Sequence, residues 1–219
     1  MNIRNVSQIE VGGHLLDLVS EKAVMISYLN TILIADIHLG KIEHFRNQGI
    51  AIPHLAAPST LDRLQSLMTK YQPTKVVFLG DLFHSVKNKS FHEFGQFIQA
   101  IPNVEFTLVV GNHDIYSTAD YNGIGLHTVD ELYIGNLWLT HEHQPASKPG
   151  FYNLAGHIHP GVRLKGIGKQ SLSLPCFVFY PDHGILPAFG YFTGQAIIQA
   201  DKNSTIFAVT DDAVIPLST

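Results

Sequence analysis

The chain has 219 residues, 45% of them hydrophobic and 15% charged, which fits one globular domain spanning 1–219 with enough core to fold by itself. Its 14 Lys and Arg against 18 Asp and Glu leave a net charge of −4, which excludes a strongly charged disordered chain and a protein that grips nucleic acid by a basic face alone. A single cysteine, Cys176, excludes an internal disulfide framework and points to the cytoplasm, while the absence of an apolar leader in residues 1–7 and of any 18-residue apolar run predicts neither signal peptide nor membrane span.

In chain order, residues 10–30 read as paired strands leading into Thr31-Ile32-Leu33-Ile34-Ala35, a continuous apolar run that stops at Asp36. A helix is expected over 59–71, with Leu61, Leu64, Leu67 and Met68 on one face and Ser59 with Asp62 as its capping box. Residues 75–79 form the next buried strand, ending at Gly80-Asp81. A second helix over 90–100 carries Phe91, Phe94, Phe97 and Ile98 on its core face, with Ser90 and Glu93 as the capping box. The third strand, 106–110, ends at Gly111-Asn112-His113-Asp114. This β-α-β-α-β order implies parallel strands covered by helices. Beyond residue 130 short β-type runs (137–140, 172–174, 177–180, 191–198) with Gly- and Pro-containing turns replace the helices and read as a mostly antiparallel half.

Each apolar strand ends in residues that can bind a metal. Asp36 and His38 follow the first, Asp81 the second and Asn112 the third; His141 follows 137–140, and His157 and His159 follow a short strand near 152–155. Sites in open α/β sheets lie beyond the carboxyl ends of the strands, so these groups are expected to converge. Asp36 and His38, like His157 and His159, are two apart on extended chain and share a side. Seven N and O donors exceed what one structural zinc takes, whereas two ions sharing one bridging carboxylate use them all. Paired ions suit in-line displacement at phosphorus by a hydroxide held between them. Oxygen and imidazole donors without thiolate suit Mn2+ or Fe, with Zn accommodated.

These motifs, in this order, resemble the calcineurin-like metallophosphoesterase superfamily. The resemblance implies a four-layer αββα sandwich of mixed β-sheets flanked by helices. It further implies that Asp36, His38 and His159 hold one metal, that Asn112, His141 and His157 hold the other, and that Asp81 bridges. His113 would act as general acid or transition-state stabiliser, with Asp114 as its orienting partner. A narrower resemblance rests on Asp36-Ile37-His38-Leu39-Gly40-Lys41 with His44-Phe45-Arg46, and on Gly80-Asp81-Leu82-Phe83-His84-Ser85 and Gly156-His157-Ile158-His159-Pro160. Leu174-Pro175-Cys176-Phe177, Leu186-Pro187-Ala188-Phe189-Gly190 and Phe192-Thr193-Gly194 extend it nearly end to end. It is to the ligase-associated DNA damage response phosphoesterases, which implies a Mn-dependent phosphodiesterase or endonuclease in DNA repair, functionally associated with DNA ligase and helicase repair proteins.

The acidic balance makes short or single-stranded DNA or RNA the expected polymer substrate. A small-molecule phosphomonoesterase or nucleotide phosphodiesterase, and a non-catalytic scaffold, are the competing readings. The chain has 13 histidines, of which His14, His54, His92, His127 and His183 read as surface or hydrogen-bonded residues. Thr140-His141-Glu142-His143 offers two same-side ligands, of which His141 is preferred because it lies nearest the strand end. Lys41, Arg46 and His84 flank the motifs and are assigned to substrate binding. Cys176 reads as a buried thiol, and Phe189, Tyr191 and Phe192 as exposed aromatics able to pair two subunits in a homodimer.

Overall fold

The computed structural model describes residues 6–47, 49, 59–84, 89–145, 148–191, 193–199 and 202–217. The first sheet has seven strands in sequence order: β1 (Val6–Val11), β2 (His14–Val19), β3 (Ala23–Ile26), β4 (Thr31–Ile34), β5 (Lys75–Leu79), β6 (Glu105–Val109) and β7 (His127–Val129). β1 to β4 pair antiparallel, and β4 to β7 pair parallel. The helices α1 (Lys41–Asn47), α2 (Thr60–Tyr71), α3 (Lys89–Gln99) and α4 (Thr118–Gly123) lie in the crossovers.

The continuous apolar runs follow from burial on both faces, because side chains alternate across a strand. Ile32, Ile34, Val76, Phe78, Phe106 and Leu108 pack outward against Leu64, Leu67, Phe91, Phe94 and Ile98 of the helices. Leu33, Ala35, Val77, Leu79 and Val109 pack inward against the second sheet. Phe94 is fully buried and meets the rings of Phe78, Phe83 and Phe97 at 5.8, 5.6 and 6.0 Å. Phe94→Ala is expected to cost about 3–5 kcal/mol, measured as a lower urea midpoint at unchanged m.

The second sheet contains β8 (Leu132–Ile134), β9 (Leu137–Leu139), β10 (Tyr152–Ala155), β11 (Pro160–Lys165), β12 (Ser171–Phe179), β13 (His183–Ile185), β14 (Ala196–Ile197), β15 (Thr205–Val209) and β16 (Val214–Leu217). Its main path runs β14-β11-β12-β13-β10-β9-β8, with β15 and β16 added beside β12. β10 pairs parallel with β9 and β13, and β11 with β14, while the other five pairings among the described residues are antiparallel, so this half is a mixed sheet in which antiparallel pairing predominates, as expected. The two mixed sheets make the α/β sandwich expected from sequence. Among the described residues the α-helices cover the first sheet only; the outer face of the second carries a small cluster around Cys176, Val178, Ile185 and Ile206.

Ser59 caps α2 as expected, its Oγ accepting Asp62 N–H at 3.0 Å while Asp62 accepts Ser59 N–H at 3.1 Å. α3 already begins at Lys89, so Ser90 is a buried residue within the helix and not its cap, and Glu93 pairs with Lys89 at 2.9 Å. The runs 172–174 and 177–179 fall within the single strand β12, and among the described residues of the 191–198 run only Ala196–Ile197 is strand. Phe189 is fully buried in the first core, so it offers no surface to a second subunit; Phe192 lies outside the described residues.

Candidate metal centre

The parallel strands β4, β5 and β6 all point their carboxyl ends at one edge, and β9 with β10 deliver the second sheet's loops to the same place. The first two loops stay paired after their strands stop: Asp36 N–H donates to Gly80 O at 3.3 Å, His38 N–H to Asp81 O at 2.9 Å and Leu39 N–H to Leu82 O at 2.8 Å. The second-sheet loops are tied in by Gly156 N–H to His141 O and by His157 N–H to Asp36 Oδ2, both at 2.9 Å.

Among the described residues eight non-glycines have positive φ, and five of them are Asp36, His38, Asp81, His157 and His159. Left-handed backbone costs an ordinary residue about 1–2 kcal/mol, so a strained turn at each of these positions aims its side chain inward. Gly80, at φ +78°, lets this happen: a Cβ there would lie 2.1 Å from His141 Nδ1. Gly80→Ala is therefore expected to displace His141 and lower the bound divalent metal relative to the parent protein, counted by elemental analysis; unchanged metal content in a folded variant would contradict this.

Two groups of donors result. Asp36, His38 and His159 bring their ligand atoms within 4.8 Å of one another, and so do Asp81, His141 and His157. His38 Nε2 faces His159 Nε2 at 3.3 Å, and His159 Nε2 lies 3.5 Å from Asp36 Oδ1. His141 Nε2 lies 2.9 Å from Asn112 Oδ1 and 3.1 Å from His157 Nδ1, with its Nδ1 fixed 2.9 Å from Leu79 O. Asp81 reaches both groups: Oδ1 is 3.4 Å from His141 Nε2, and Oδ2 is 3.7 Å from His38 Nε2.

The electrostatics suit a cation. Asp36 and Asp81 are buried, and Asp36 Oδ1 has no hydrogen-bond partner, an arrangement costly for a carboxylate unless a positive charge compensates it. Burial, reinforced by Lys41 and the neighbouring imidazoles, drives His38 far below its ordinary pKa, which keeps its ring neutral and a lone pair free. The same causes push His84 down to about 4. With no thiolate among the donors, the set fits a hard or borderline divalent ion.

The remaining sequence-predicted residues fall around this core. His113 is half exposed, its N–H donating to Asp81 Oδ1 at 3.0 Å and its Nε2 4.0 Å from Asp81 Oδ2. Asp114 is buried, and burial raises its pKa to about 6. Its oxygens accept N–H groups from Leu82 and Gly111, both at 2.9 Å, and from Phe83 at 3.4 Å. It therefore braces the second loop against the third, and among the described residues no hydrogen bond joins it to the His113 ring. His84 meets the His38 ring edge-on at 5.6 Å, and Lys41 lines a cavity of about 630 Å³ that also reaches His38. Arg46 lies on α1, but its side chain is outside the described residues. His143 turns away, stacking on His183 at 3.7 Å and facing Asn153 Oδ1 at 3.2 Å, so His141 alone of that pair joins the centre.

A support missed in the sequence comes from residues 189–190, whose N–H groups donate to Ala35 O at 2.9 Å and Asp36 O at 3.1 Å. Gly190 permits the approach, since a Cβ would lie 2.3 Å from Ile37 O. The glycine closing Leu186-Pro187-Ala188-Phe189-Gly190 was the available signal.

An α/β sandwich whose strand ends gather two His/Asp clusters defines a metal-dependent hydrolase scaffold. The chain belongs to the calcineurin-like phosphoesterase family, whose model matches residues 29–202. Among solved structures it is similar to a nuclease, MPE, from Pseudomonas putida, at 29% identity and a TM-score of 0.79, covering 97% of this chain and 100% of that one. It also matches Yfce, a phosphoesterase from E. coli, at 16% identity and a TM-score of 0.40, covering 84% of this chain and 96% of that one. Comparison with curated proteins gives no match.

Proposed function

We propose that this protein is a binuclear, Mn-dependent phosphodiesterase that cleaves short or single-stranded nucleic acid in cytoplasmic DNA repair. The observation that carries the proposal is the position of Asp81, which turns one carboxylate oxygen toward each ligand cluster. End-to-end similarity to a nuclease supports a nucleic-acid diester as substrate.

In this reading Asp36, His38 and His159 hold one ion, Asn112, His141 and His157 the other, and Asp81 serves both. Two divalent ions bound there supply Lewis-acid charge to the phosphoryl oxygens and lower the pKa of a bound water toward neutral. The chain's own residues do the rest. Neutral His38 offers Nε2 instead of repelling a cation, and Asp114 fixes the spacing of two ligand loops through their amides. His113 stands on the open side, where it donates a proton to the leaving oxygen. Lys41, in the cavity that reaches His38, and His84, beside His38 and His113, contact the non-reacting phosphate oxygens, and Arg46 is assigned the same role from its place in the sequence.

The test is Mn-dependent hydrolysis of an aryl phosphodiester and its matching monoester side by side, followed by single-stranded oligonucleotides. Diester and oligonucleotide turnover is expected. Monoester turnover alone would overturn the nuclease reading, and metal-independent inactivity of a folded protein would leave a scaffold.

A further inference from the structure

Away from the metal centre, two cations line one cavity of about 530 Å³ at the edge where the sheets meet. Lys22 sits in the β2–β3 turn at φ +62°, and Arg63 lies on α2. Among the described residues the Lys22 ammonium has no hydrogen-bond or ion-pair partner within the molecule. The Arg63 guanidinium donates to two backbone carbonyls, Phe189 O at 2.8 Å and Glu21 O at 2.5 Å, has the Tyr191 hydroxyl as a further hydrogen-bond partner, and lies 4.4 Å over the Phe189 ring. With five N–H donors it keeps capacity for more.

Glu21 and Asp211 lie close enough to favour charge on the pair, but among the described residues neither forms an ion pair with it. Glu21 is taken by Lys70 at 2.6 Å and by the Tyr71 hydroxyl at 3.2 Å. Asp211 is exposed on the rim, close enough to favour charge on Lys22 without forming an ion pair. Two largely buried like charges facing one cavity are unfavourable unless an anion completes them. Tyr191 links the place to the reaction, because its side chain lines this cavity and also the one that reaches His38 and Lys41.

We propose that Lys22 and Arg63 form a second anion subsite, separate from the metal centre, that binds a phosphate group. A tetrahedral phosphate presents several acceptor oxygens and up to two negative charges, matching an ammonium beside a forked guanidinium. The group arrives either as a backbone phosphate of a bound strand or as free phosphate or a small phosphorylated molecule. Burial and the facing Arg63 pull the Lys22 ammonium down to about 8, so its amine is reactive in mild alkali and its labelling reports on the cavity directly.

The experiment is acylation of the Mn-loaded protein near pH 8, with modification of Lys22 followed by peptide mass spectrometry and exposed Lys165 as internal reference. Inorganic phosphate at ten times its Kd is expected to slow Lys22 labelling about tenfold and leave Lys165 unchanged. Asp211→Asn, which removes the competing carboxylate, is expected to lower the phosphate concentration needed. Protection by a short thymidine oligonucleotide at lower concentration than phosphate assigns the site to a strand; protection by phosphate alone assigns it to a free phosphate. No protection by either, or equal protection by chloride at matched ionic strength, overturns the proposal. The readout is on Lys22 and not on turnover, so it stands or falls separately from the hydrolytic reading.

Discussion

Asp81→Ala is expected to abolish hydrolysis and lower the bound metal together. One side chain serves three partners: its Oδ1 faces His141 and accepts the His113 amide, while its Oδ2 faces His38. In the proposed bridging role, its truncation would take a ligand from both clusters, and it unties the loop that carries His113. Residues acting as a unit show losses far beyond those of a single hydrogen bond, so turnover should fall roughly 10³-fold or more. Elemental analysis should show fewer divalent ions per chain than in the parent protein. Turnover or metal content like that of the parent protein would remove Asp81 from the bridging role.

His113→Ala separates the metals from the proton. His113 contributes a backbone amide to Asp81, and any residue keeps that amide; only the half-exposed ring is lost. Metal content is therefore expected to stay, KM to change little and kcat to fall about 10²–10⁴-fold, the usual scale for a general acid. The loss should be smallest on substrates whose leaving group needs no proton, such as a nitrophenolate, and largest on an alkyl leaving group. Equal losses on both would rule out proton donation and leave a purely electrostatic part for the ring.

The parallel core was legible in the sequence because β4, β5 and β6 are buried on both faces, and double burial writes an uninterrupted apolar run. The convergence of the candidate ligands was legible for a related reason: a polar residue directly after such a run has to lie at a strand end. α4 was missed although Ser117 and Asp120 form a capping box, because six residues are too few for a helical period to register. Residues 191–198 misled in the opposite sense, being apolar enough for a strand while, among the described residues, only Ala196 and Ile197 enter a strand ladder, beside β11. The turn of His143 toward His183 was not readable either. His141 and His143 share a side in extended chain, and a tertiary contact 40 residues away separates them.

The left-handed backbone at Asp36, His38, Asp81, His157 and His159 bears on how such a protein ages in evolution. The fold holds these five residues in a backbone region that costs them energy, and at the three histidines only the work of the site keeps them there. Once selection for that work relaxes, glycine or asparagine at His38, His157 or His159, whose side chains accept no backbone amide among the described residues, relieves that strain, while Asp36 and Asp81 still hold the amides of His157 and His113. The slope from enzyme to inert framework therefore runs downhill in stability, and its first steps are single codons at the ligand positions themselves.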